Sequence, residues 1–429
     1  MSGRRTRTDG RESERAALVH LTTRSTRGVD PDTLLDELAG LARAAGAEPA
    51  FRLVQERPTP DPATYLGKGK VQTLAAACAE LDIDVVIVDN ELSPAQTRNL
   101  EKACDRRVID RTTLILDIFA RRAQTREGRL QVELAQLEYR LPRLAGSSEA
   151  LSRLGGGIGT RGPGETKLET DRRRIRQRIS RLRRDIAEVG RRRAYVRARR
   201  RRQDVPTVAL VGYTNAGKTT LFNRLTRASA VASDALFVTL DPLVRRLVLP
   251  DARQILLSDT VGFIDRLPHQ LVAAFHATLE AVAAADLLLH VVDAAAPDRA
   301  RRMLAVGEVL AEVGAGAVPL VPVFNKIDRL APPELDGLRQ ANPGAVLVSA
   351  LDATGVEDLR EAIASALALD AERVRYRLDP SEPADAQALA DLHRYTRVVS
   401  QATSGPVVEV DALVPRRLLG RFGRAKVPA

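Results

Sequence analysis

The run GYTNAGKTT at Gly212–Thr220 constrains this chain more than any other segment. It follows the apolar Val208–Val211 and precedes LFNRL, so it reads as strand, loop, helix. In that context the pattern G-x-x-x-x-G-K-[ST] predicts a phosphate cradle in an α/β P-loop domain. Gly212 and Gly217 let the loop through Tyr213, Thr214, Asn215 and Ala216 turn its N–H groups inward. Thr220 extends the cradle into the helix. Lys218 supplies a point charge for the β- and γ-phosphates, and Thr219 offers a hydroxyl to Mg²⁺.

Three further segments follow in an order that fits a nucleotide switch. Ile255–Leu257 is a short apolar strand running into Asp259-Thr260-Val261-Gly262. A carboxylate at such a strand end holds Mg²⁺ through water, while the Gly262 N–H meets the γ-phosphate. Thr239, in LFVTLDP, is the loop hydroxyl expected over the metal. Lys218, Thr239 and Gly262 are therefore the expected catalytic set. Leu320–Phe324 leads into Asn325-Lys326-Ile327-Asp328, and Val346–Val348 ends at Ser349-Ala350. The Asp328 carboxylate accepts from N1–H and the 2-amino group of guanine, whereas adenine presents an acceptor at N1 and has no such amino group. The Ala350 region is expected at guanine O6. Together these residues predict GTP and GDP as the ligands.

One position departs from the commonest arrangement. Phe263 follows Gly262 where many such enzymes carry a water-orienting glutamine, and an aromatic ring has no donor or acceptor for water. Hydrolysis is therefore expected to be slow in isolation. Asn215 has two readings: a ligand for K⁺ standing in for an arginine finger, or a local turn-stabilising side chain. Rates in K⁺ and Na⁺ buffers separate them.

With 429 residues the chain is long enough for about three domains at ~150 residues each. Lys and Arg number 66 against 55 Asp and Glu, a net charge of +11 that fits either a polyanionic partner or the arginine usage of a GC-rich genome. Cys78 and Cys104 lack metal spacing and are expected as reduced core thiols of a cytoplasmic protein. The apolar-rich 272–296 stretch is broken by Glu280, Asp286, His290 and Asp293, so no membrane span is expected.

Residues 1–16 read as a basic tail and 17–110 as a small parallel α/β domain. Its strands are expected at Leu18–Thr22, Ala50–Gln55, Asp84–Val88 and Arg107–Ile109. Its helices are expected at Asp32–Ala45, Lys70–Leu81 and Ser93–Ala103. Within it, Gly67-Lys68-Gly69-Lys70 reads either as a phosphate site or as a turn with solvated lysines. Residues 111–203 read as an antiparallel helical hairpin: Leu130, Leu134, Leu137, Leu141 and Leu144 form one seam, and Ile175, Ile179, Leu182, Ile186 and Val189 the other. The connection, 146–174, is longer than the ~12–15 residues typical of structureless loops. Gly155, Gly156 and Gly157 leave it without a preferred fold, and Arg153, Arg161, Lys167, Arg172, Arg173 and Arg174 make it basic. Such a loop suits threading among RNA phosphates; a solvated linker is the alternative. A P-loop domain at 204–368 and a small α+β tail domain at 369–429 complete the expected order.

These residues resemble the HflX family of bacterial GTPases over nearly the whole chain. The resemblance rests on GGIGTRGPGETKLETDRRR at 156–174, GYTNAGKTT, TLDP, DTVGFI and NKID, the first being the most discriminating. After TLDP the family usually continues Thr-Thr-Arg, and here Leu243-Val244-Arg245 stands. The resemblance implies a monomeric, cytoplasmic GTPase stimulated by the ribosome, with Mg²⁺ as cofactor. It would bind the large ribosomal subunit and its rRNA rather than DNA. It would split stalled ribosomes under stress, in a family also linked to antibiotic tolerance and to ATP use by the N-terminal domain. The competing readings are a nucleotide-switched RNA-remodelling protein and a regulatory switch acting outside the ribosome.

Overall fold

The computed structural model describes residues 13–24, 30–144, 163–201, 205–228, 236–237, 239, 242–265, 276–367, 371–415, 418–420 and 422. The chain forms two compact units that change over between Ala187 and Glu188.

The first unit contains a wholly parallel sheet of β1 (Glu14–Thr22), β2 (Ala47–Glu56), β3 (Val85–Val88) and β4 (Arg107–Asp110), in the order β2-β1-β3-β4. Helices α1 (Pro31–Ala44), α2 (Lys68–Glu80) and α3 (Pro94–Cys104) alternate with the strands, and α4 (Arg111–Arg122) follows β4. The α1 face Leu34, Leu35, Leu38 and Leu41 repeats at helical spacing and is buried. The Asp30 carboxylate accepts from the N–H groups of Asp32 and Thr33, satisfying donors that α1 itself leaves free. Glu14–Ala16, expected in the tail, belong to β1. Ala16 is fully buried, in register with Pro49 and Val85; the charged Glu14 and Arg15 disguise the strand start. Gly67 sits at φ −69°, and its N–H donates to Gln55 Oε1 at 2.9 Å. Lys68–Lys70 form the first turn of α2, so the segment is a helix start rather than a flexible turn, and the Gly67 N–H is already taken. Cys78 and Cys104 are buried free thiols.

Helix α5 (Arg126–Arg143) is capped by Thr125 and ends one residue after Pro142. Its deepest face is Val132, Ala135 and Tyr139, while the leucine seam is half-buried. The Tyr139 hydroxyl donates to Asp110 Oδ2, tying the helix to the end of β4. Helix α6 (Pro163–Arg201) buries Ile179 and Leu182 from the second seam. Arg178 pairs with Glu133 and Arg183 with Glu138. Both pairs are 45 positions apart, so these contacts do not themselves display the opposite stepping of an antiparallel zipper. The connection is shorter than expected: α6 begins at Pro163, so Lys167 and Arg172–Arg174 are helical rather than in a loop. Proline suits a helix's first turn, and no glycine intervenes between Gly164 and Gly190. Arg153, Gly155, Gly156, Gly157 and Arg161 lie outside the described residues.

The second unit contains a six-stranded sheet ordered β10-β9-β8-β5-β7-β6. Its elements are β5 (Thr207–Val211), α7 (Lys218–Thr226), β6 (Leu243–Val248), β7 (Gln254–Asp259), α8 (His276–Ala283), β8 (Leu287–Asp293), α9 (Arg299–Glu312), β9 (Leu320–Asn325), α10 (Pro332–Ala341), β10 (Val346–Leu347) and α11 (Val356–Ala366). Only the edge strand β6 is antiparallel. Strand β5 is buried along Val208–Val211 between β7 and β8. The chain leaving its carboxyl end therefore opens at the place where parallel α/β sheets bind ligands. The tail domain is an antiparallel sheet, β11 (Ala371–Leu378), β12 (Arg397–Ser404) and β13 (Val407–Pro415), in the order β11-β13-β12. It packs with α12 (Pro383–Tyr395) around Val374, Tyr376, Leu378, Leu392, Val410 and Phe422. Among the described residues, no helix is long and apolar enough to cross a membrane.

Candidate nucleotide site

The Gly212–Thr220 loop leaves β5 and enters α7 at Lys218 with no intervening residue. Two of its glycines have no substitute. Gly212 has φ +149°, and a Cβ there would lie 2.2 Å from the Val291 carbonyl oxygen. Gly217 has φ +87°, and its Cβ would lie 2.2 Å from Asn325 Nδ2. Lys218 is buried, and its Nζ donates to the carbonyls of Gly212 (3.0 Å) and Tyr213 (2.8 Å). Burial pushes this ammonium down to about 8, opposed by Asp259 and reinforced by Lys326. An anion in the cradle would restore what burial takes away.

Below the loop, three oxygen-bearing side chains converge. Thr219 Oγ1 and Thr239 Oγ1 lie 2.8 Å apart, and each donates to Asp259 Oδ2, at 2.7 and 3.0 Å. The other carboxylate oxygen, Asp259 Oδ1, is buried with no hydrogen-bond partner among the described residues. Burial pushes the Asp259 carboxyl above its ordinary range despite nearby Lys218. A hard divalent cation fits this set: it takes oxygen ligands, matches two hydroxyls and a carboxylate, and answers the orphaned oxygen.

The residues expected at the base meet the same loop. Asn325 Nδ2 donates to the Ala216 carbonyl (2.9 Å), and Asn325 Oδ1 accepts from the Ala350 N–H (3.0 Å). Lys326 Nζ donates to the Asn215 carbonyl and to Asp293 Oδ2, each at 2.7 Å. Ser349 Oγ donates to Asp328 Oδ1 at 2.7 Å. Asn215 takes φ +59°, a left-handed conformation that asparagine tolerates. Sequence reasoning missed Arg224. From α7 it donates Nε to the Ala350 carbonyl at 3.1 Å and Nη2 to that of Leu351. It thus fastens the Ser349-Ala350 turn to the helix that follows the phosphate loop. No pattern in Phe222-Asn223-Arg224 marks that role.

The fourth wall is Gly262-Phe263. A Cβ on Gly262 would lie 2.8 Å from Thr214 Cα and 3.0 Å from Lys218 Nζ. Phe263 is buried, its N–H donating to the Gly212 carbonyl and its carbonyl accepting from the Thr214 N–H. Of the residues expected to contact RNA, Arg173 and Arg174 are exposed and Arg172 half-buried on α6; the Lys167 side chain lies outside the described residues.

His290 on β8 lines a small pocket with Tyr213, Thr214 and Arg302. Burial, and then Lys218, push its imidazole down to about 4. Between pH 6.5 and about 4 the unfolded chain takes up a proton that the folded one refuses. Stability is therefore lost as pH falls, by about 2 kcal/mol between pH 7 and 5. His290→Gln is expected to flatten that part of the curve; thermal unfolding of both proteins at pH 7 and 5 checks it, and equal slopes would refute it.

Fold and site define a P-loop GTPase. Residues 32–120, 122–200 and 207–326 match the family models described as GTP-binding GTPase N-terminal, GTP-binding GTPase Middle Region and 50S ribosome-binding GTPase. The GTPase HflX of Caldanaerobacter subterraneus subsp. tengcongensis is 48% identical over 366 residues, covering 85% of this chain and 83% of that protein. That of Escherichia coli is 46% identical over 371 residues, covering 86% of each. That of Magnetococcus marinus is 47% identical over 402 residues, covering 92% of each. A crystal structure of a Sulfolobus solfataricus GTP-binding protein in complex with GDP aligns at TM-score 0.44 and 24% identity, covering 82% of this chain and 98% of that one. The chain belongs to the HflX family and is a GTP hydrolase.

Proposed function

We propose that this GTPase binds the large ribosomal subunit when loaded with GTP, dissociates stalled ribosomes under stress, and is released by hydrolysis. The observation that carries the reading is the match of residues 207–326 to a ribosome-binding GTPase model in a chain related to HflX proteins throughout. In this reading the 212–217 loop and Thr220 hold the phosphates, Lys218 neutralises the β- and γ-oxygens, and Asn325, Lys326, Asp328, Ser349 and Ala350 hold guanine. Mg²⁺ held by Thr219, Thr239 and, through water, Asp259 would supply charge neutralisation at the triphosphate. Thr239 and Gly262 report the γ-phosphate, and their ordering distinguishes GTP from GDP. Because Phe263 is buried and orients no water, the group that completes hydrolysis comes from elsewhere, the subunit or a K⁺ ion beside Asn215. The exposed arginines of α6, with the basic residues of 146–162, are the RNA-facing set, and the protein acts as a cytoplasmic monomer.

Cosedimentation with purified large subunits tests this. Loading with a non-hydrolysable GTP analogue is expected to tighten capture at least about tenfold over GDP, a 1.4 kcal/mol coupling. Capture should also weaken steeply with salt. Equal capture in the empty, GDP and analogue states would overturn the proposal.

A further inference from the structure

The geometry points to Arg301 as a positioning residue for GTP, acting through Asp265 and Tyr213 on the Gly262 wall. The inference rests on the proposal that the Gly262 N–H meets the γ-phosphate.

Switch segments after this glycine are commonly free to order and disorder with the nucleotide. Here the segment's first residues, 263–265, are stitched down. Backbone bonds run from Phe263 N–H to the Gly212 carbonyl (3.0 Å) and from Thr214 N–H to the Phe263 carbonyl (2.7 Å). Two residues on, the Asp265 N–H donates to the Tyr213 hydroxyl at 3.0 Å, and the Asp265 carboxylate pairs with Arg301. Arg301 also pairs with Asp298, just before α9, and Asp298 pairs with Arg302 at 2.7 Å. The Arg302 guanidinium in turn lies over the Tyr213 ring, 5.0 Å from its centre. The start of α9 thus holds both the phosphate-loop tyrosine and the switch backbone.

This is more than a surface ion pair. The Arg301 side chain is 26% exposed, with Asp265 at 14% and Asp298 at 15%, so water screens the cluster less than it does a rim pair. Gly262 packs on Thr214 with no room for a Cβ, so a small displacement of the segment moves its N–H out of hydrogen-bond range. Arg301 reaches the site through Asp265, on the segment that meets the γ-phosphate, so it bears chiefly on that group. GDP, which lacks the γ-phosphate, depends on it much less.

Full-length Arg301→Ala is expected to lose about tenfold in affinity for a non-hydrolysable GTP analogue while GDP affinity stays within about twofold, the difference of roughly one charge-assisted hydrogen bond. The turnover number for GTP should fall by a similar factor. Tyr213→Phe, which removes one hydroxyl, should shift the same ratio less. The charge exchange Asp265→Arg with Arg301→Asp should bring the analogue-to-GDP ratio back toward that of the parent. An equal loss for both nucleotides, or no loss for either, would overturn the latch. Gly262→Ala is the separate control. If it leaves the ratio unchanged, the Gly262 reading is wrong; if it lowers the ratio while Arg301→Ala does not, only the latch is wrong.

Discussion

Asp328→Asn is expected to weaken GTP binding by two to four orders of magnitude and to make xanthosine triphosphate the better ligand. In the proposed complex, one carboxylate accepts two hydrogen bonds from guanine, each worth about 1.5–3 kcal/mol because the acceptor is charged. The amide keeps the shape but presents a donor where the 2-amino group points, replacing attraction with conflict. Xanthine carries a carbonyl at that position, which the same amide can satisfy. Ser349 bears on the outcome because its hydroxyl already donates to Asp328 Oδ1 at 2.7 Å and fixes the carboxylate plane. An asparagine oxygen can accept that bond, so the fold around β9 and β10 should survive. Competition binding with GTP and xanthosine triphosphate is the measurement. Guanine affinity unchanged within about twofold would remove Asp328 from the base site.

The candidate nucleotide site was legible where its residues end or follow a short apolar strand, because strand ends in a parallel sheet converge. Gly212, Asp259 and Asn325 are far apart in sequence, yet they leave or close β5, β7 and β9 on one sheet. The N-terminal sheet was legible for a related reason: its strands and helices alternate with clear caps, such as Ser93 with Gln96. What stayed hidden depends on long side chains bridging separate elements. Arg224 reaching Ala350, Arg301 reaching Asp265 and Tyr139 reaching Asp110 leave no periodic trace. The edge strand β6 was passed over because its Arg245 and Arg246 are exposed and blunt the alternation. Residues 163–174 were read as loop because of the glycines before them, whereas the helix already begins at Pro163. Only Gly164 lies in that stretch.

The chain carries two Gly-Lys segments, and replacing one glycine in each should give opposite results. Gly217→Ala is expected to reduce GTP affinity by about two to three orders of magnitude. A left-handed backbone costs an alanine about 1–2 kcal/mol. The new Cβ, 2.2 Å from Asn325 Nδ2, must also expel that side chain. Its bonds to the Ala216 carbonyl and the Ala350 N–H would be lost, at about 1 kcal/mol each. The damage therefore spreads from the phosphate loop to the Ser349-Ala350 turn through one asparagine. Gly69→Ala meets nothing within 4 Å and lies inside α2, where alanine is the better helix former by up to about 1 kcal/mol. GTP affinity should stay at the parent value there, and thermal stability should be equal or slightly higher. Equilibrium binding of a fluorescent GTP analogue, with circular dichroism to confirm folding, compares the two directly. A folded Gly217→Ala protein that binds as tightly as the parent would mean that the strain inferred at φ +87° is absent, and with it the coupling between the two loops.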